Sequence, residues 1–301
     1  MLFVPGHKRD WMLKAHRYDS DALILDLEDA VPIADKAQAR IIVGEVIDTL
    51  GPGRPHLFVR VNSWDSGLLL RDVASVVRPA LAGIMLSKTD SPHDVIALDY
   101  ALSSSEIETG LPAGSIEIMP LLETARGMRD AYSIYTASSR IRRITGAGAY
   151  PPGGDITRAV GYRPSADESE TLYLASKRVL DARAAGITNI MCAWGPSFED
   201  MSALRRSVER ARQLGANGAT AIHPCQIAVM NELFSPSPEE LAEAAKIMAV
   251  MSDAIALGHS AARMGKIMVD YAHVRSARAL LTWARNLGLD VPAYADVEVL
   301  D

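Results

Sequence analysis

The chain has 301 residues, of which 49% are hydrophobic and 23% are charged, a composition typical of a soluble globular protein rather than of a disordered chain. Its 31 Lys and Arg residues and 37 Asp and Glu residues give a net charge of −6, so we expect no nucleic-acid partner. No stretch approaches the roughly 20 apolar residues of a membrane helix, and the opening apolar run Met1–Val4 stops at Pro5. The sequence therefore predicts neither a membrane anchor nor a signal peptide.

Cysteine usage indicates the compartment. Cys192 and Cys225 lie 33 positions apart, without a C-x-x-C motif or a histidine cluster around them. This spacing indicates neither a disulfide framework nor a zinc site, so we expect a protein of the reducing cytoplasm.

Short apolar runs bounded by turn residues alternate with amphipathic stretches, which predicts repeated βα units and a parallel sheet. Successive units are about 29 residues long, close to the roughly 30 of a strand with its crossover helix. Eight even units favour a closed (β/α)8 barrel, a TIM barrel, over residues 1–235. The predicted strands are Leu2–Pro5, Ala22–Glu28, His56–Asn62, Gly83–Lys88, Glu117–Glu123, Ile141–Gly146, Asn189–Trp194 and Gly218–Pro224.

The stretches between the strands have helical periodicity. Leu172, Ala175, Val179 and Ala182 fall on one face of a helix and are predicted to cover the barrel wall.

The pattern changes after the eighth strand. Ser237 to Glu240 form a capping box with proline at the first helical position, which predicts a long helix. A second helix is predicted from the spacing of Val274, Ala277 and Leu281. We expect a C-terminal helical extension over residues 236–301 that packs on the barrel or on a neighbouring subunit, with a lid over the active site as the alternative.

In a βα barrel the reactive groups lie at the carboxyl ends of the strands. Glu123 closes an apolar strand, so its carboxylate needs either a cation or an ion pair with Arg126 or Arg129. Asp155 follows the next strand, and two carboxylates without histidine or thiolate suit Mg²⁺ first and Mn²⁺ second. The alternative for Asp155 is that it caps the helix that begins at Ile156.

Arg60 lies on an otherwise apolar strand, so its guanidinium needs an anion, either a substrate carboxylate or the side chain of Glu28 or Asp29. We expect Glu28 and Asp29 to contact water, Arg60 or Lys88 rather than to take part in the chemistry. Lys88 is also a candidate Schiff-base nucleophile. His223, at the predicted end of the eighth strand, is equally consistent with packing and with catalysis.

Several enzyme classes are disfavoured by missing motifs. No Walker lysine loop, G-x-G-x-x-G after the first strand or G-x-S-x-G elbow is present. We therefore expect neither nucleotide hydrolysis, nicotinamide redox chemistry nor an acyl-serine mechanism.

Six segments together resemble one enzyme family: Leu2–Gly6, Leu25–Pro32, Arg60–Asn62, Leu121–Thr124, Ile222–Pro224 and Met268–Asp270. The sequence resembles the citrate lyase beta-subunit-like enzymes, a CoA ester lyase family that includes malyl-CoA and citramalyl-CoA lyases.

This resemblance implies a barrel that uses magnesium to cleave or form a 3-hydroxyacyl-CoA such as malyl-CoA, citramalyl-CoA or citryl-CoA, with an acyl-CoA and a 2-oxo acid as the other partners. By position, Glu123 and Asp155 correspond to metal ligands and Arg60 to the group that binds the substrate carboxylate. Lys14 matches a basic position near the CoA entrance, with a solvated helix face as the alternative. The resemblance also implies a homo-oligomer, a trimer or hexamer.

The sequence departs from this family in four places. It begins at Met1, where members have a few more residues including an arginine. Ser87–Asp90 replaces the usual Pro-Lys-x-Glu, and Gly146–Gly154 is longer than the usual loop. The carboxylate that malyl-CoA lyases supply across a subunit boundary has no counterpart around Met264–Met268. Claisen-type deprotonation is therefore not expected, and the general base is unassigned.

Two other functions stay open at this point. One is a metal-dependent pyruvate aldolase that acts without CoA, and the other is a catalytically inactive barrel subunit of a complex. The length and the two extra helices argue against the first, and the three charged groups Arg60, Glu123 and Asp155 argue against the second.

Overall fold

The computed structural model describes residues 1–146, 153–193 and 199–297. The chain divides into two compact units, Met1–Phe234 and Ser235–Asp301. Within the described residues, no helix is both long enough and apolar enough to cross a membrane.

The described residues of the first unit form eight strands, each parallel to the next in chain order. A bridge from Leu2 to Ala221 closes the ring, in which the Phe3 N–H donates to the Ala221 carbonyl at 2.8 Å. The predicted (β/α)8 barrel is confirmed. Its strands are β1 Leu2–Pro5, β2 Ala22–Asp26, β3 His56–Val61, β4 Leu81–Leu86, β5 Glu117–Leu122, β6 Arg143–Gly146, β7 Asn189–Ala193 and β8 Gly218–Thr220.

The eighth strand ends earlier than predicted. It stops at Thr220, because the backbone N–H groups of Ile222 and His223 both donate to the Gln226 side chain instead of to a neighbouring strand. The predicted end of the seventh strand, Trp194, lies outside the described residues, as does most of the long Gly146–Gly154 stretch.

Helices cover the barrel from outside. In the helix that directly precedes the seventh strand, Val179 and Ala182 are buried as predicted, whereas Leu172, the first residue of that helix, is 46% exposed. The helices of this unit are α1 Arg9–Ala15, α2 Lys36–Leu50, α3 Leu69–Val76, α4 Pro92–Thr109, α5 Ala125–Arg129, α6 Ala131–Tyr135, α7 Asp155–Val160, α8 Leu172–Ala184, α9 Met201–Gln213 and α10 Cys225–Phe234.

Alternation along the strands separates two cores. Ile24, Phe58, Met85 and Met119 belong to a cluster of their own inside the barrel, and the intervening residues pack with the helices. The same period of two continues to the carboxyl ends of the strands. It therefore directs Asp26, Arg60 and Glu123 to the inner face at the barrel mouth.

The second unit contains the two predicted helices, α11 Pro238–Ala256 and α12 Tyr271–Asn286, and the predicted capping box at Ser237. It also contains an antiparallel hairpin of β9 Ala261–Met264 and β10 Ile267–Asp270, which the sequence analysis missed. The signal was the two-residue turn between Met264 and Ile267, in which Gly265 has a φ of 61°.

Candidate active site

Four neighbouring strands deliver charged side chains to one end of the barrel. Asp26 ends β2, Arg60 lies in β3, and Lys88 and Glu123 follow β4 and β5. Asp155, after β6, reaches the same cluster through Lys88. Strand order alone thus brings together side chains that are far apart in the sequence.

Arg60 is held by a carboxylate that the sequence analysis did not single out. Its Nε and Nη2 donate to Asp26 at 2.7 and 2.5 Å, and Nη1 lies 3.0 Å from Glu28 Oε2. The register pairs Asp26 directly with Arg60, and the guanidinium stacks 5.0 Å from the centroid of the Phe3 ring. The predicted alternative partner Glu28 is therefore present, but the bidentate pair is with Asp26.

Burial affects this pair strongly. The side chain of Asp26 is 1% exposed and that of Arg60 is 13% exposed. Burial by itself lowers the pKa of Arg60, but the Asp26 carboxylate outweighs it, so the pKa lies above its usual value. The sequence does contain a signal for Asp26: it follows the inward-facing Ile24 by two residues in an apolar strand, which predicts that its carboxylate also faces inward.

Lys88 lies among three carboxylates. Its ammonium hydrogen-bonds to Glu28 and lies 3.5 Å from Asp29 Oδ2 and 3.4 Å from Asp155 Oδ2. Burial lowers the pKa of Lys88, but these carboxylates, Glu28 first, raise it well above its usual value. A Schiff-base nucleophile needs a neutral amine, so these surroundings argue against that role for Lys88.

Glu123 is a buried carboxylate with few partners. It is 7% exposed and accepts a hydrogen bond from the Lys88 backbone N–H at 2.9 Å. Burial and the neighbouring Glu28 raise its pKa to about 7. The alternative ion pairs are wrong, because Arg126 pairs with Asp90 and Arg129 pairs with its own neighbour, Asp130.

Asp155 is the first residue of α7 and not its cap. The cap position belongs to Gly154, so the capping alternative for Asp155 is wrong. Its Oδ1 pairs with Arg158 at 2.7 Å, and its Oδ2 faces Lys88. Burial raises the pKa of Asp155, but Arg158 and Lys88 together lower it below its usual value.

The sequence analysis also missed a partly buried hydrogen-bond network around the backbone of Leu27 and Glu28. The Lys36 ammonium donates to the carbonyls of Leu27 and Glu28, both at 2.9 Å, and to Asn62 Oδ1 at 2.7 Å. The Asn62 amide in turn donates to Leu27 and to the buried Asp72. These bonds fix the backbone that carries Glu28, so its carboxylate stays between Arg60 and Lys88.

Two other predicted residues are exposed. Lys14 is exposed in the last turn of α1, on which Trp11 is 59% exposed and lies 6.0 Å from the Lys8 ammonium. His223 is exposed, with its Nδ1 2.9 Å from Cys225 Sγ.

The charge balance of the cluster fits a divalent cation. Among the described residues the cluster holds five carboxylates and three cationic side chains, so the formal charges leave an excess of two negative charges. Four of the carboxylates pair with these cations, and Glu123 accepts only from a backbone N–H. No group of three or more His, Cys, Asp or Glu side chains in the described part of the chain forms a ready metal cage. The donor set is all oxygen, as Mg²⁺ prefers, and waters and substrate would complete it. The carboxylates are Asp26, Glu28, Asp29, Glu123 and Asp155, and the cations are Arg60, Lys88 and Arg158.

Comparison with known proteins decides the family. Residues 1–224 match the HpcH/HpaI aldolase/citrate lyase family. The chain belongs to this family. The expected resemblance to citrate lyase beta subunits and malyl-CoA lyases is confirmed, and the protein is a lyase of the CoA ester lyase type.

Individual relatives of this HpcH/HpaI family member match over nearly the whole chain. Citrate lyase subunit beta of Leuconostoc mesenteroides subsp. cremoris is 29% identical over 284 residues, 94% of this chain and 92% of the relative. L-malyl-CoA/beta-methylmalyl-CoA lyase of Cereibacter sphaeroides is 32% identical over 301 aligned positions, 95% of this chain and 94% of the relative. The structure of CitE from Mycobacterium tuberculosis with magnesium, acetoacetate and coenzyme A has a TM-score of 0.77 and 26% identity, covering 94% of this chain and 97% of that one.

Proposed function

We propose that this protein is a Mg²⁺-dependent carbon–carbon lyase that splits or forms a 3-hydroxyacyl-CoA, such as malyl-CoA, citramalyl-CoA or citryl-CoA. The other partners of the reaction are an acyl-CoA and a 2-oxo acid. The observation that carries the proposal is the excess of two negative charges around Glu123 at the barrel mouth. The magnesium, acetoacetate and coenzyme A bound by the CitE relative support the same chemistry.

Glu123 and Asp155 are the proposed ligands of Mg²⁺, with Mn²⁺ as the second choice. A bound divalent ion supplies Lewis-acid polarisation of the oxygen that becomes a carbonyl. Glu123 suits this role because its carboxylate is buried and lacks a cationic side-chain partner at hydrogen-bond distance among the described residues.

Arg60 is proposed to hold the substrate carboxylate. Asp26 occupies the Nε and Nη2 edge of the guanidinium, so the edge with Nη1 is the one that a substrate shares with Glu28. This fixed orientation places the substrate before the reaction begins. In the cleavage direction a base that is not yet assigned takes the hydroxyl proton, the hydroxyl carbon becomes the carbonyl of the 2-oxo acid, and the electron pair of the broken carbon–carbon bond passes to the thioester enolate. The enolate then takes a proton back from that base or from water to give the acyl-CoA.

The surface of α1 is proposed to receive the CoA moiety. Lys8 and Lys14 offer positive charge to phosphates, and the exposed Trp11 offers an aromatic face to a base. Charge and ring lie three residues apart on one short helix, which suits a ligand that carries both phosphate and adenine.

The deciding experiment is an assay of 2-oxo acid release from malyl-CoA, citramalyl-CoA, citryl-CoA and free 4-hydroxy-2-oxo acids, each with Mg²⁺ and with EDTA. We expect Mg²⁺-dependent release from a CoA ester, and loss of turnover in Glu123→Gln. Glu108→Gln, an exposed change on α4, serves as the matched control and should retain turnover.

The other outcomes identify the alternatives. Release from free 4-hydroxy-2-oxo acids alone would assign a pyruvate aldolase, an activity class that the family description includes. Absence of turnover with all substrates, together with absence of Mg²⁺ binding by calorimetry, would favour an inactive barrel subunit.

A further inference from the structure

Lys88 contacts both residues that are proposed to hold the metal ion. Its backbone N–H donates to Glu123 Oε1 at 2.9 Å, and its ammonium lies 3.4 Å from Asp155 Oδ2. Its φ of 51° lies in the left-handed region, which non-glycine residues rarely adopt. Such a conformation persists only where the surroundings enforce it.

The backbone on either side of Lys88 is fixed by buried contacts. Ser87 Oγ donates to the Val61 carbonyl at 2.6 Å, and the Thr89 N–H donates to the Leu121 carbonyl at 3.1 Å. Gly127 approaches the Thr89 carbonyl so closely that a Cβ would lie 2.3 Å from the oxygen. These contacts orient the Lys88 backbone N–H towards Glu123, and none of them involves the Lys88 side chain.

The Lys88 ammonium contacts three carboxylates. Besides Asp155 it contacts Glu28 and Asp29, neither of which is a proposed metal ligand. Glu28 is 3% exposed and pairs with Arg60, so its position does not depend on Asp155. The lysine therefore keeps two anionic partners if it gives up the third.

We propose that the Lys88 ammonium is a built-in counter-cation, which holds Asp155 at the site in the metal-free protein and yields it to the divalent ion. The inference rests on the proposed function only in that the ion binds between Glu123 and Asp155. Two consequences follow: the ammonium weakens Mg²⁺ binding by competition, and it stabilises the metal-free protein.

The test is Mg²⁺ titration calorimetry on Lys88→Gly. Glycine adopts a positive φ freely and retains the N–H to Glu123, so the variant removes the side chain with its ammonium and keeps the backbone contact. We expect the Mg²⁺ dissociation constant to fall about tenfold, because a positive charge beside a ligand of the ion is gone. We also expect saturating Mg²⁺ to raise the melting temperature of this variant more than that of the wild type.

Two control variants separate competition from general charge effects. Arg158→Met removes the other cation that pairs with Asp155. The Arg158 side chain is 78% exposed, so its loss should change the dissociation constant by less than about threefold. Lys88→Arg retains the charge and should bind Mg²⁺ as the wild type does. Lys88→Gln serves as a second charge-removing variant if Lys88→Gly does not fold.

Three results would overturn the inference. One is Mg²⁺ affinity in Lys88→Gly and Lys88→Gln that is unchanged or weaker than in the wild type. Another is an equally large gain in Arg158→Met. Both leave Mg²⁺ binding itself intact and so spare the proposed function, whereas absence of Mg²⁺ binding to the wild type would remove the metal from the proposed function and this inference with it.

Discussion

The two ends of the barrel each bury a glutamate, and the two glutamates differ in their partners. At the amino-terminal end Glu106 is fully buried and accepts from both Nη atoms of Arg140, at 2.7 and 2.8 Å, and from the N–H groups of Gly114 and Ile116. At the carboxyl-terminal end Glu123 accepts from the N–H of Lys88. Two buried glutamates thus have opposite electrostatic surroundings.

The pKa values of the two glutamates move in opposite directions. Burial raises the pKa of Glu106, but Arg140 and the two N–H donors outweigh it and lower the pKa to about 2. Burial and Glu28 raise the pKa of Glu123 to about 7. A buried carboxylate whose oxygens all accept from donors has a structural role. A buried carboxylate without a cationic partner is a candidate for binding a positively charged ligand.

The largest expected effect is on the amino-terminal pair. Glu106→Ala leaves both Nη atoms of Arg140 without their carboxylate, so we expect the free energy of unfolding to fall by about 3–5 kcal/mol. Urea denaturation measures this loss. Glu108→Ala, an exposed change in the same helix, should cost less than about 0.5 kcal/mol. A loss below about 1 kcal/mol in Glu106→Ala would remove the contrast between the two ends.

The next effect has the opposite sign. The pKa of Glu123 rises on folding from 4.5 to about 7, so its ionisation destabilises the metal-free protein as the pH rises through that range. At pH 8 we expect Glu123→Gln to be more stable than the wild type by about 3 kcal/mol. Urea denaturation at pH 4.5 should show little of this difference, and an equal difference at both pH values would contradict the assignment.

A smaller effect is expected at Arg60, the mouth cation that resembles Arg140 in having a buried bidentate partner. A lysine cannot reproduce the fork to Asp26, so Arg60→Lys should lower kcat/KM for the CoA ester by about 10- to 100-fold. Steady-state kinetics measure this, with Arg205→Lys, in an exposed pair with Glu232, as the unaffected control. Unchanged kinetics would exclude Arg60 from the proposed site.

The smallest expected effect is on the pH dependence of Mg²⁺ binding. A proton on Glu123 competes with the ion, so the dissociation constant should rise up to about tenfold for each pH unit below about 7 and level off above it. Calorimetry in buffers of different ionisation enthalpy also counts the protons released. A dissociation constant that does not change between pH 5.5 and pH 8 would mean that Glu123 is not a ligand.

Much of the barrel could be predicted because its signals are local. Apolar runs such as Leu2–Pro5 and the turns between them specify strands, and alternation from Ile24 or Met119 leads to charged strand ends. Glu123 and Arg60 are in phase with this alternation, whereas Lys88 is out of phase and was predicted only as the end of the fourth strand. The hairpin of the second unit was missed because its strands have four residues each and carry little alternation.

The ion pairs at the barrel mouth could not be predicted from local sequence patterns. The Arg60 to Asp26 bond joins residues 34 positions apart and depends on the register of β2 and β3. The Lys88 to Glu28 bond joins residues 60 positions apart and depends on a positive φ at Lys88. Neither condition leaves a mark in the neighbouring sequence.

The amino-acid sequence alone therefore determined the barrel and which ionisable side chains lie at its strand ends, because strand periodicity and turn chemistry act over a few residues. Only the tertiary structure decided which of those charges neutralise each other and which are left over. Coulomb and hydrogen-bond energies depend on distances of a few ångströms across neighbouring strands. Those distances make Glu106 different from Glu123: Glu106 forms an ion pair with Arg140, whereas Glu123 lies among other carboxylates without a cationic partner at hydrogen-bond distance in the described residues.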